Sequence, residues 1–374
     1  MLSDRFGDIM ADLKTNIAGI ELRNPVLPAA GPNVKDATAM LSAWEAGAGG
    51  IVSKTVSIKP ADDKRPTIRK TICSGLTNYE TWSETPLEAF LSELHKVKDA
   101  GCPLITSIGY QPSEVRELGA LIEKEISPEG FEFSVHYVGH STEPIVEVAR
   151  ALRGTIDKPI FMKVSPNFLN IPELIRAVLP FVDGFAAINS FGPVLDFDPE
   201  NPIPRLGSDY GQGWISGPPI LPIALRIVYQ ISSVTDKPII GVGGIEKGSD
   251  AVKMLMAGAS AVGICSGAIK FGHHIYGKVA SETGDWLDKH GYRAPSDIVG
   301  SYARELSKRK GFAVTPANTV DTDKCVGCGA CLSKCLQDAI SMQNDKASVE
   351  AKLCIGCGYC TDFCPKGALT LEMR

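Results

Sequence analysis

The eleven cysteines of this 374-residue chain are unevenly placed: eight fall in the last fifty residues. Residues 325–335 read C-VG-C-GA-C-LSK-C and residues 354–365 read C-IG-C-GY-C-TDF-C-P. Both follow C-x2-C-x2-C-x3-C. Closely spaced thiolates on a tight loop can wrap three corners of a cube of iron and sulfide, so the expected chemistry is one-electron transfer through [4Fe–4S] clusters. Gly327, Gly329, Gly356 and Gly358 let the backbone turn and aim N–H groups at the cluster sulfurs. Structural zinc is the competing reading. It favours paired C-x2-C halves set a dozen or more residues apart, which this doubled motif fits poorly.

The spacing is similar to that of bacterial two-cluster ferredoxins, in which the fourth cysteine of each motif serves the other cluster. That resemblance implies one cluster on Cys325, Cys328, Cys331 and Cys364, and a second on Cys354, Cys357, Cys360 and Cys335. Each fourth cysteine is expected at the start of a helix. Pro365 follows one of them and Leu336 the other, a position that shapes the chain and ligates nothing. QDAISMQN (337–344) and KGALTLEM (366–373) read as short flanking strands. The domain is placed at 315–374, after the charged helix YARELSKRK.

The elements that would position any further chemistry lie in residues 1–314. Eight strand-like runs recur there: 25–30, 50–54, 103–108, 131–136, 159–165, 184–189, 238–243 and 261–266. Amphipathic helical runs such as PLEAFLSELHKVKDA and IPELIRAVLPFV alternate with them. This pattern predicts an α/β fold, a (β/α)8 TIM barrel with its chemistry on the loops after the strands, followed by the small α+β ferredoxin-like domain. No G-x-G-x-x-G opens the first strand–helix turn, as a doubly wound sheet would favour. Residues 55–83 and 190–217 break the short-loop rule and are expected to act as lids or substrate walls. Gly243-Gly244 and Cys265-Ser266-Gly267 end strands seven and eight, where many barrels cradle a phosphate.

Apolar residues make up 44% of the chain and the formal net charge is −5, which excludes disorder as the main state and speaks against a nucleic-acid partner. No stretch approaches a membrane span, and MLSDRFGDIMADLK lacks the apolar run of a signal peptide, so a cytoplasmic protein is expected.

The barrel resembles the dihydroorotate dehydrogenase family, most closely the flavin and ferredoxin part of dihydropyrimidine dehydrogenases. The resemblance is carried by NPVLPAAG (24–31), SKTVS (53–57), GLTN (75–78), KVSPN (163–167), DGFAAINS (183–190), SGPPILPIALR (216–226), VGGIEKGSDA (242–251) and AGASAVGICSGA (257–268). It implies FMN held by Ala30, Gly31, Lys54, Thr55, Lys163, Asn189, Ser190, Gly217, Gly243, Gly244, Cys265 and Ser266. An ammonium near the flavin N1 edge stabilises the reduced ring, the role implied for Lys54 and Lys163. Asn78, Ser134, Asn189 and Ser190 are the implied substrate contacts.

One motif departs from the family. Its fourth strand usually reads E-L-N-x-S-C-P-N, where the asparagines hold a pyrimidine and the cysteine moves a proton. Here Ser134 and Gly139 replace the asparagines, and Tyr137 takes the cysteine's place between His136 and His140. Two lost amide contacts at ~1–3 kcal/mol each point away from a standard pyrimidine. Tyr137, His136 or His140 is then the expected proton donor, with Lys54 assisting. Cys73 and Cys102 are read as incidental thiols, His273 and His274 as structural.

The expected activity is hydride and proton exchange at an activated C=C or C–C bond of a small unsaturated molecule, by an oxidoreductase acting on CH–CH groups. Electrons would pass between FMN and an external partner through two [4Fe–4S] clusters. No dinucleotide-binding domain is visible, so the partner is a ferredoxin or an NAD(P)H-oxidising flavoprotein subunit, within a homodimer or hetero-oligomer. The alternatives are an electron-transfer subunit of a larger redox complex and a true dihydropyrimidine or dihydroorotate dehydrogenase catalytic subunit.

Overall fold

The computed structural model describes residues 10–134, 139, 141–308 and 318–371. The chain divides into two compact units, Met1–Ala303 and Arg304–Arg374. The expected domain start at 315 falls outside the described residues.

In the first unit all eight expected strands form: β1 (Val26–Pro28), β2 (Ile51–Val52), β3 (Leu104–Ile108), β4 (Gly130–Ser134), β5 (Ile160–Val164), β6 (Gly184–Ala187), β7 (Ile239–Val242) and β8 (Ala261–Ile264). They are parallel and ordered β1-β8-β7-β6-β5-β4-β3-β2. Gly49 N–H donates to Val26 O at 2.6 Å across the remaining seam, so the sheet is a nearly closed barrel. Helices follow the strands in sequence order: α1 (Ala37–Glu45), α2 (Leu87–Asp99), α3 (Pro112–Glu125), α4 (Glu143–Arg153), α5 (Ile171–Val178), α6 (Leu221–Ser232), α7 (Gly248–Ala257), and α8 (Ser266–Phe271) with α9 (Ile275–Lys289) after β8.

Strand alternation divides the core into two layers. Outward residues such as Phe131, Phe133, Ile160 and Met162 pack with Phe90, Leu118, Leu152 and Ile175 of the helices. Inward residues Leu27, Val52, Ile105, Phe161, Ala186, Ile240 and Ala261 fill the barrel. A hairpin, Thr15–Ile17 with Ile20–Leu22, packs on that inner cluster from the N-terminal ends of the strands. The inner layer turns polar toward the other end, where Ser107, Glu132, Ser134 and Lys163 are buried.

The two long excursions are not irregular loops, which corrects the sequence reading. Ile68–Lys70, Leu76–Asn78, Gly213–Ser216 and Phe191–Val194 form one antiparallel sheet. Each strand is three or four residues long, too short to show an alternating pattern in the sequence.

In the second unit Ile340–Gln343 pairs with Lys346–Val349, and Asn318–Val320 with Leu369–Leu371. The fourth cysteines do not open helices. Cys335 ends the 3-10 turn Leu332–Lys334, and Cys364 follows Tyr359–Thr361. Four residues separate each from the next strand, too few to nucleate a helix. Among the described residues no helix is long and apolar enough to cross a membrane.

Candidate functional site

A cleft opens at the C-terminal ends of the barrel strands, roofed by the four-stranded sheet. Seven of the eight strand ends contribute. Ala30 and Gly31 come from the β1 loop, Lys54 and Thr55 from β2, Ser134 from β4 and Lys163 from β5. Asn189 and Ser190 follow β6, Gly243 and Gly244 follow β7, and Cys265 and Ser266 follow β8. The roof adds Asn78 and Gly217. Thus every expected cofactor and substrate residue that the structure describes lines one cavity. Tyr137, His136 and His140 lie outside the described residues.

The cleft suits a flat aromatic cofactor with a phosphate tail. Ala29, Ile188, Val242 and Ile264 supply apolar walls. Backbone packs closely at the far end: a Cβ on Gly244 (φ +80) would stand 2.8 Å from Gly217 O and from Leu221 Cβ. On Gly31 it would stand 2.5 Å from Cys265 Sγ, so no side chain fits there either. The Cys265 thiol is tucked beside Gly31, and burial pushes its pKa up to about 11 against the pull of Lys163 and Lys54. It stays a neutral thiol at ordinary pH.

Both lysines are buried, and each has a glutamate that the sequence did not reveal as its partner. Lys54 Nζ is 3.0 Å from Glu80 Oε2, and Thr67 Oγ1 donates to Glu80 Oε1 at 3.2 Å. Lys163 Nζ is 3.4 Å from Glu132 Oε1. A charge this deep in a barrel is costly without a partner, so a lysine ending an apolar strand is itself the signal that a carboxylate must face it.

The substrate side is already ordered. Asn78 Nδ2 donates to Trp214 O at 3.1 Å, which leaves its Oδ1 as the free acceptor. Asn189 Nδ2 reaches Ser134 Oγ at 3.4 Å and its Oδ1 accepts from Ser190 N at 2.9 Å. The expected bystanders sit elsewhere. Cys73 is exposed, Cys102 is buried, and neither lines the cleft. His273 Nε2 contacts Asn33 O at 3.1 Å, and His274 is exposed.

The second unit holds two smaller cavities of about 370 and 310 Å³. One is lined by Cys325, Cys328, Cys331 and Cys364, the other by Cys335, Cys354, Cys357 and Cys360. The backbone is already set for thiolates. Ala347 N–H donates to Cys325 Sγ at 3.4 Å, Ala368 N–H to Cys364 Sγ at 3.2 Å, Ala339 N–H to Cys335 Sγ at 3.2 Å and Gly356 N–H to Cys354 Sγ at 3.4 Å. Such bonds from Ala347 and Gly327 hold the Cys325 thiol below its ordinary pKa. At Cys364 burial opposes the same effect, and N–H groups from Ala368, Lys366, Leu369 and Gly367 outweigh it. Among the described residues no three His, Cys, Asp or Glu side chains converge tightly enough for a single ion. Four sulfurs around a larger void suit a polynuclear cluster instead.

Comparison with known proteins agrees with both sites. Residues 12–287 match the family model for dihydroorotate dehydrogenase, and residues 318–371 match that for a 4Fe-4S dicluster domain. The chain is 33% identical over 298 residues to the catalytic subunit of dihydroorotate dehydrogenase B (NAD(+)) from Methanothermobacter thermautotrophicus, covering 77% of this chain and 97% of that protein. The protein of the same name from Pyrococcus abyssi is 35% identical over 302 residues, covering 77% and 98%. About a quarter of this chain therefore has no counterpart in those alignments. The chain belongs to the dihydroorotate dehydrogenase family, as an FMN- and iron–sulfur-dependent oxidoreductase acting on CH–CH groups that carries a 4Fe-4S dicluster domain.

Proposed function

We propose that this protein transfers a hydride and a proton to or from an activated C=C or C–C bond of a small molecule that is not a standard pyrimidine. Electrons are exchanged with an external protein through two [4Fe–4S] clusters. The observation that carries the reading is the gathering of the expected flavin and substrate residues on one cleft, with two four-cysteine cavities in the same chain. In the crossed assignment one cluster takes Cys325, Cys328, Cys331 and Cys364, the other Cys335, Cys354, Cys357 and Cys360.

Bound FMN supplies hydride exchange and the clusters supply single-electron transfer. The chain's own groups do the rest. Lys54, held by Glu80, keeps further N–H donors for a carbonyl, carboxylate or amide that activates the bond. Asn78 Oδ1 accepts from a substrate N–H or O–H. Lys163 lines the same cleft, where its ammonium would stabilise the negative charge of reduced FMN. The roof sheet keeps bulk water from the reacting carbons. Tyr137 exchanges the proton at the carbon next to the one that exchanges hydride, with His136 and His140 as the flanking candidates.

The partner is a ferredoxin or an NAD(P)H-oxidising flavoprotein subunit, and the chain works as a homodimer or as one subunit of a hetero-oligomer. The relatives' designation as catalytic subunits supports the latter. Free cysteines in cluster-forming sets support a reducing, cytoplasmic setting.

The test is anaerobic. Photoreduced holoenzyme is mixed with unsaturated acids, amides and CoA esters, and flavin reoxidation is followed at stoichiometric substrate. A response only to protein partners would instead identify a relay. Tyr137→Phe should slow turnover without loss of flavin; unchanged kinetics move the proton to His136 or His140. The relatives' name favours one second reading, a dihydroorotate or dihydropyrimidine dehydrogenase with altered contacts. Turnover of dihydroorotate, uracil or thymine in the same screen would establish it.

A further inference from the structure

Glu132 does not line the cleft, yet it touches the machinery behind it on two sides. Strand alternation turns Phe131 and Phe133 outward and Glu132 and Ser134 inward. On the neighbouring strand Lys163 stands opposite Ser134. The Glu132 and Lys163 side chains are 3% and 5% exposed and form an ion pair at 3.4 Å.

On the other flank Ser107 Oγ donates to Glu132 Oε1 at 3.1 Å, and Thr55 Oγ1 lies 2.8 Å from Ser107 Oγ. A carboxylate in an ion pair only accepts hydrogen bonds, and a serine has one hydroxyl proton. That proton is committed to Glu132, so Thr55 must be the donor to Ser107. With its proton spent, the Thr55 hydroxyl can offer the cleft only lone pairs. One buried carboxylate thus constrains two residues that do line the cleft: Lys163 as a compensated cation and Thr55 as an acceptor.

We propose that Glu132 is a positioning residue that fixes the charge and hydrogen-bond polarity of the cofactor face of the cleft. Through Ser107 it makes Thr55 an acceptor for a flavin N–H. Through Lys163 it limits how strongly the pocket favours the reduced, negatively charged flavin. The inference rests on the flavin reading above and goes beyond it by assigning a role to a residue outside the cleft.

The test uses the full-length holoenzyme under anaerobic conditions. FMN content is measured first, because a flavin-free wild-type protein would overturn the functional reading itself. The flavin reduction equilibrium is then titrated against redox dyes for wild type, Glu132→Gln, Glu132→Asp and Ser107→Ala. Losing the counter-charge in Glu132→Gln should move the equilibrium toward reduced flavin by roughly tenfold or more, as one uncompensated charge at an effective dielectric near 20 requires. Glu132→Asp should restore most of that shift. Ser107→Ala keeps both charges, so it should move the equilibrium little while weakening oxidised FMN several-fold, because Thr55 is no longer held as an acceptor. A Glu132→Gln enzyme that retains FMN with an unmoved equilibrium overturns the proposal, since a merely structural glutamate would change melting alone. Should Glu132→Gln fail to fold, Ser107→Ala decides: unchanged FMN affinity and flavin spectrum overturn the proposal, and weakened binding supports it.

Discussion

The barrel cleft and the cysteine cavities solve the problem of holding a redox group in opposite ways. The cleft takes residues from seven strand ends and a separate roof, across most of the first unit. Each cysteine cavity takes three cysteines from one loop of seven residues and a single cysteine from the other motif. The cleft stands on two complete core layers of its own, the inner filling of the barrel and its helical shell. The second unit's apolar cluster centres on Cys331, Ile340, Ala347, Cys360 and Leu369, two of them proposed ligands. The first site rests on an apolar core that is distinct from its polar lining. In the second, proposed ligands are also part of the core, so cluster binding there is expected to be coupled to folding.

The largest expected effect breaks this contrast at the weaker side. Cys335→Ala should remove roughly half of the iron and loosen the second unit while the barrel still unfolds at its own temperature. Iron analysis with calorimetry checks it, and a single shared transition would contradict the separation. Lys54→Met attacks the stronger side from within. It leaves the partly buried Glu80 without its cation and should cost about 1–3 kcal/mol in barrel stability together with most of the activity. Removing the exposed partner in Lys64→Ala should leave the denaturation midpoint unchanged. Gly244→Ala tests the cradle: a methyl at φ +80 and 2.8 Å from Gly217 O should cost about 2 kcal/mol or more and release FMN on dialysis. The smallest effect is chemical. In the holoenzyme iodoacetamide should label exposed Cys73 and spare Cys265 until the pH nears about 11, which peptide mass mapping can follow.

What was legible in the sequence follows the same divide. The cysteine sets could be read because ligand and motif are local, and their pairing across two cavities agrees with the crossed order. The eight barrel strands could be read because fully buried strands, six of them four or five residues long, alternate with helices that are nearly all of eight residues or more. The roof sheet could not: its strands are short and its two halves lie more than a hundred residues apart. Glu80 and Glu132 were hidden for a related reason. Each meets its lysine across 26 or 31 residues, and nothing local marks a carboxylate as the partner. For Glu132 one signal was present, an acidic residue between two outward phenylalanines on a barrel strand. The proton donor remains a positional argument, because Tyr137 and its histidine neighbours lie outside the described residues.

The roof also makes the cleft sensitive to chain length at a distance. Asn78 pairs with Trp214, and Leu76 with Ser216, in a register where a one-residue slip would turn every side chain to the other face. Residues 195–212 line no part of the cleft, but they connect Phe191–Val194 to Gly213–Ser216, the strand that pairs with Leu76–Asn78. An insertion or deletion there that shifted Gly213–Ser216 would act as a change of substrate contact, moving Ser216 relative to Asn78 although no cleft residue was replaced.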